Sequence, residues 1–159
     1  VFSLVTPQAP PCGKPPPCRS RPRACLELYS GSSRLTSALL RDGMSCASPM
    51  DFEFGSGFDL SNPSVENLVA RWIRSRRLWY VHFGTPCTAW STTTPHASQK
   101  KAAKLAAGTA AATLRLLRLC NRYRVLWSVE NPATSALWKW PPLASFLSGT
   151  KVHWVTLHY

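Results

Sequence analysis

Two reactive side chains occupy matching places in the chain. Cys87 closes the stretch Leu78-Trp-Tyr-Val-His-Phe-Gly-Thr-Pro-Cys87, and Glu130 closes Arg124-Val-Leu-Trp-Ser-Val-Glu130, with Asn131-Pro132 behind it. Leu78 to Phe83 is an apolar and aromatic run of the length of one buried strand. Gly84 stops it, and Thr85-Pro86 turns the chain and delivers Cys87 beyond the strand's carboxyl end. In open α/β sheets that edge is where ligands bind. Two parallel strands would bring Cys87 and Glu130 to the same edge. A thiolate there is a nucleophile, and a carboxyl group beside it can move a proton. A cysteine next to a turn also serves as a small buried hydrophobe, and the Cys87 stretch alone leaves both readings open.

These groups need elements to position them. Ala24 to Tyr29 reads as a strand, Ser30 to Ser33 as a small-residue turn, and Leu35, Leu39 and Leu40 as one face of a helix that Gly43 ends. A tight turn with Gly31 lets a ligand approach backbone N–H groups ahead of a helix. Met44 to Pro49 reads as a second strand. Asp51 follows it, 20 positions after Gly31, where nucleotide sites often hold a ribose hydroxyl; a polar turn would place an Asp there too. Phe58 to Leu60 reads as a stub of a third strand, with Asp59 near its end. Asn62-Pro63 opens a helix with Glu66 in its first turn, and Arg71, Arg74, Arg76 and Arg77 gather at its end, as a solvated face would. Ser91 to Pro95 is a polar loop. Residues 97 to 122 form a long Ala- and Leu-rich helix with an interruption expected at Gly108; Arg115, Arg118 and Arg122 share one of its faces. Ser135 to Trp138 and Pro142 to Leu147 read as helical turns, and Val152 to Tyr159 as a last strand, with no terminating element after it, as in a fragment.

Composition sets the limits. A chain of 159 residues with 45% hydrophobic residues can bury a single core. Nineteen Lys and Arg against seven Asp and Glu suit a nucleic-acid or other anionic partner. No run is long enough for a membrane span. The six cysteines, at 12, 18, 25, 46, 87 and 120, form no Cys-x-x-Cys pair. A structural metal site is therefore not expected. Their scatter reads as free thiols in a reducing, intracellular compartment. Residues 1–23 hold seven Pro, four basic residues and no acid, which predicts an extended, poorly ordered tail before a domain spanning 24–159.

Three blocks, Glu27-Leu-Tyr-Ser-Gly-Ser-Ser33, Gly84-Thr-Pro-Cys-Thr-Ala-Trp-Ser91 and Glu130-Asn-Pro132, resemble blocks of the cytosine-5 DNA methyltransferases, in the same order. Ser33 stands where the family usually has a second Gly, and Glu27 where it usually has Asp. The family's later Gln-x-Arg-x-Arg block and target-recognition region have no counterpart before Tyr159, so the stretch 24–159 reads as part of a catalytic domain. The resemblance implies an α/β fold: a Rossmann-like, open, mostly parallel sheet with helices on both faces. It implies S-adenosylmethionine as cofactor. Leu28, Tyr29, Ser30, Gly31 and Ser32 would line its methionine side, Asp51 its ribose and Asp59 its adenine, with Pro86 alongside. It implies Cys87, Glu130 and Pro86 as catalytic residues, Ser91 and Asn131 as substrate contacts, and DNA as substrate. RNA as substrate, and an inactive or purely nucleic-acid-binding relative, stay open.

Overall fold

The computed structural model describes residues 1–8, 23–87, 90 and 99–158, without the side chains of 99–106. It is an α/β structure built on one five-stranded mixed sheet. The strands are β1 (Phe2–Pro7), β2 (Ala24–Leu28), β3 (Leu78–Phe83), β4 (Leu126–Pro132) and β5 (Val152–Leu157). Their order across the sheet is β2-β3-β4-β1-β5. β2, β3 and β4 run parallel, whereas β1 lies antiparallel between β4 and β5. Four helices join them: α1 (Arg34–Arg41), α2 (Pro63–Arg74), α3 (Gln99–Tyr123) and α4 (Pro141–Ser148).

The alternation of strand side chains sorts the sheet into two faces. Leu26 and Leu28 on β2, Val81 and Phe83 on β3, Trp127 and Val129 on β4 and Val5 on β1 point one way, and all are sealed from solvent. Helix α2 lays Val65, Val69 and Ile73 into this core, at the i, i+4, i+8 spacing of one helical stripe. Helix α3 adds Leu114, Leu117 and Cys120. The Trp127 indole is buried with its one polar atom satisfied, because Nε1 donates to Asn121 Oδ1 at 2.7 Å. The opposite face of the three parallel strands carries polar groups: Glu27, Tyr80, His82, Ser128 and Glu130 occupy alternate positions. Among the described residues no helix is long and apolar enough to cross a membrane.

Several expectations need correction. The sheet is mixed: β2, β3, β4 and β5 share one direction, and β1, not expected in it, makes both of its ladders antiparallel. Residues 2–7, expected in a disordered tail, form a strand in the sheet's interior; residues 9–22 lie outside the described residues. The second strand expected over Met44 to Pro49 is reduced to two isolated parallel bridges to β2, Cys25 to Cys46 and Leu28 to Met50. Pro49 has no N–H to offer a ladder, which interrupts the pairing between them. Phe58 to Leu60 forms no strand. Asp59 Oδ1 and Oδ2 accept from Ser61 N–H and Oγ–H at 2.8 and 2.7 Å, closing a local turn in front of α2. Helix α3 runs unbroken through Gly108.

Candidate active site

The turn after β2 and the turn after β3 meet at Gly84. A β-carbon there would lie 2.9 Å from the Tyr29 carbonyl oxygen, so only glycine lets the two backbones approach this closely. The contact is fixed by Gly84 N–H donating to the Leu28 carbonyl at 3.0 Å. The β2 turn is wound tightly: Tyr29, Gly31 and Ser33 all take left-handed backbone angles, with φ of 56°, 47° and 54°. Two of the three are not glycine, a departure that costs energy and often marks working loops.

Two carboxylates hold this turn in place. Asp51, 4% exposed, accepts from Gly31 N–H at 2.9 Å and from Glu53 N–H at 3.0 Å. Glu27, inside β2, accepts from Thr36 N–H at 2.7 Å and from the Thr36 hydroxyl. Thr36 is the third residue of α1, whose N-cap Ser33 donates its hydroxyl to Ser30 Oγ at 3.3 Å and does not cap the helix with its side chain. Glu27 therefore caps α1 from the sheet, where a negative charge suits the helix N-terminus. Tyr29 folds back on α3: its hydroxyl donates to the Thr109 carbonyl and accepts from Thr113 Oγ1, both at 3.3 Å. Burial pushes this phenol well above its ordinary range.

Cys87, half-buried, lies just past the Gly84-Thr-Pro turn, and Trp90 N–H donates to its carbonyl at 2.8 Å. From β4, Asn131 donates its Nδ2–H to the Thr85 carbonyl and so ties the two strand ends together. Thr85 Oγ1, Trp90 Nε1 and Asn131 Oδ1 are buried and without hydrogen-bond partners among the described residues. Three unmet polar atoms around one turn are unusual in a folded interior.

Glu130 stands next to Asn131 on the polar face. His82 Nε2 lies 3.6 Å from Glu130 Oε2, and His82 Nδ1 is 2.7 Å from Ser128 Oγ. Ser128 Oγ is in turn 2.6 Å from the Tyr80 hydroxyl. Glu130 therefore ends a chain of four polar side chains that crosses β3 and β4. Burial raises the Tyr80 phenol above its usual range.

Cys87 and Glu130 line one cavity of about 410 Å³ at the carboxyl edge of the parallel strands. That size is within the range of small-molecule sites. Its wall also includes Tyr29, Ser30, Gly31 and Ser32 from the β2 turn, Pro86 beside Cys87, and Asn131. The remaining residues expected at the site lie elsewhere. Leu28 is fully buried in the core and is not on this cavity's wall. Asp51 and Asp59 are not on the cavity wall. Both Asp51 oxygens serve backbone N–H groups, and Asp59 is engaged with Ser61. Asn131 uses its amide as a brace. Ser91 lies outside the described residues. Six wall residues were not among the expected site residues: Phe2, Glu27, His82, Gly84, Thr85 and Pro132. A lone carboxylate in Cys25-Leu-Glu-Leu28 and a lone imidazole in Leu78–Phe83 were signals, since a polar group within an apolar strand needs a partner. No such signal existed for Phe2.

Comparison with known proteins finds no matching family model, no matching curated protein and no matching solved structure.

Proposed function

We propose that this chain carries the nucleophile and proton donor of a cytosine-5 methyltransferase acting on DNA, set on a Rossmann-like sheet with helices on both faces. The observation that carries the reading is that Cys87 and Glu130 line one and the same cavity. Cytosine C5 is a poor nucleophile until a group adds at C6. The Cys87 thiolate forms that C6–S bond and drives electron density towards C5. Glu130, as a carboxylic acid, gives a proton to N3 and cancels the negative charge of addition. His82, 3.6 Å from Glu130, holds the carboxyl group in its place on the cavity wall. The target base leaves the duplex to reach this cavity.

The β2 turn fits the role of cofactor cradle. Ser30, Gly31 and Ser32 present a tightly wound backbone to the cavity, and Tyr29 and Pro86 flank it. Bound there, S-adenosylmethionine supplies the methyl group that C5 accepts. Asp51 serves the cradle by fixing Gly31. Solvent water takes the C5 proton, the freed electron pair expels the Cys87 thiolate from C6, and N3 returns its proton to the Glu130 carboxylate.

The test is transfer of radiolabelled methyl groups from S-adenosylmethionine to duplex DNA, run beside equilibrium binding of the cofactor. The reading expects transfer that Cys87→Ser abolishes with cofactor binding retained. Absence of cofactor binding, or transfer that survives Cys87→Ser, overturns it.

A further inference from the structure

Among the described residues no Lys or Arg is on the wall of the cavity that holds Cys87 and Glu130. The strands β2, β3, β4 and β5 all run in one direction, and each is preceded by a cation: Arg23, Arg77, Arg124 and Lys151. All four are exposed, and they line the sheet edge opposite Cys87, about 20 Å away by strand length. Helices α2 and α3 end on the same edge, because each feeds directly into β3 or β4. Their last turns add the exposed Arg71, Arg74 and Arg122, and the exposed Arg118 lies one turn earlier in α3. Of the seven acids, Glu66 lies at the far end of α2 and is taken by Arg115, in a two-pronged pair at 2.7 Å. Only Asp42, at the end of α1, lies towards the basic edge.

Cations in the last turn of a helix have an ordinary explanation, since they complement its dipole. That explanation does not reach Arg76 and Arg124. Both helices close with an N–H reaching back five residues, Arg77 to Trp72 at 3.0 Å and Val125 to Cys120 at 2.9 Å. This closure requires a left-handed residue just past the helix, a place that glycine fills at no steric cost. Here it is filled by Arg76 and Arg124, with φ of 53° and 56°. Twice the chain accepts a strained backbone and places an exposed guanidinium on the same edge. Strain repeated in this way points to use of the side chain.

We propose that this edge is a second nucleic-acid surface, which grips phosphate backbone independently of the cavity. Eight of the nine cations named, counting Arg76, are arginines, whose forked donors match phosphate oxygens better than an ammonium does. The surface carries no sequence-reading feature, so it binds any duplex. The proposal does not rest on the methyl-transfer reading. Nucleic acid held here lies at the opposite end of the sheet from any base in the cavity, so the chain can hold two segments at once.

The experiment is the double variant Arg76→Gly and Arg124→Gly in the full chain, with a fluorescent duplex DNA of arbitrary sequence as probe. Glycine relieves the strain, so the melting temperature rises or holds, which separates loss of binding from loss of fold. Two phosphate contacts removed lower the slope of log K against log salt by about 1.8, and weaken binding roughly 60-fold at 0.1 M salt. Binding is read without S-adenosylmethionine and apart from any methyl transfer, so failure of the catalytic reading leaves this result intact. An unchanged slope and affinity in the glycine variant overturn the proposal. So does tighter binding to phosphatidylserine vesicles than to the duplex, with the same arginine dependence, which would make the edge a membrane contact.

Discussion

Gly84→Ala is the smallest change that separates the two turns forming the cavity. The added β-carbon would lie 2.9 Å from the Tyr29 carbonyl oxygen, and that atom belongs to backbone, so it cannot swing aside as a side-chain tip would. Either the β3 turn or the β2 turn moves. Overpacking of this kind costs about 1–3 kcal/mol. Movement also strains the Gly84 N–H bond to the Leu28 carbonyl, now 3.0 Å, worth about 0.5–1.5 kcal/mol. The sum, about 3 kcal/mol, corresponds to a fall in melting temperature of roughly 6–12 °C for a chain of this size. Cys87 is three residues on and moves with its turn. Thermal melting followed by circular dichroism reads the first effect, and the rate of Cys87 alkylation, with Cys46 as internal reference, reads the second. A melting temperature and a Cys87 rate both equal to those of the unaltered chain would refute the claim that close backbone approach sets this site.

Glu27→Gln keeps the shape of the buried side chain but removes the charge that caps α1. We expect a loss of about 1.5–3 kcal/mol in urea unfolding, with α1 amides exchanging faster; unchanged α1 exchange would show that Glu27 does not hold the helix. Burial, reinforced by the neighbouring Cys46, pushes the Cys25 thiol up to about 11 from 9.0. The folded chain therefore keeps a proton that the unfolded chain loses first. Stability from this group is complete below about pH 9 and falls as pH rises towards 11. Denaturation at a series of pH values should show a shallower alkaline decline for Cys25→Ala, and parallel curves would contradict the assignment.

Much of this arrangement was legible in the sequence because it is local. The strand over Leu78–Phe83, the α2 start at Asn62-Pro63 and the α1 stop at Gly43 each carry their own signal. Asn62 indeed caps α2, accepting from Ser64 N–H at 3.0 Å. The meeting of Cys87 and Glu130 was legible for a simple reason: parallel neighbours of similar length present their carboxyl ends together. What was missed depends on distant partners. Residues 2–7 read as the start of a Pro-rich tail, yet they are a strand because β4 and β5 leave a place between them, which no local pattern records. Asp51 lies where a ribose contact was expected, but the left-handed Gly31 turns its N–H towards that carboxylate and claims it. The basic residues were counted correctly from the sequence. The gathering of nine of them on one edge follows from the common direction of four strands.

The central claim is a covalent bond between Cys87 sulfur and a pyrimidine C6, made in the cavity that Glu130 also lines. Duplex DNA bearing 5-fluorocytosine blocks the release step, so the complex survives denaturing electrophoresis. In the presence of S-adenosylmethionine the account predicts a slow-migrating adduct whose tryptic peptide carries the base on Cys87. It predicts none with Cys87→Ser and slower formation with Glu130→Gln. An adduct on another residue, or one that persists in Cys87→Ser, would contradict the account.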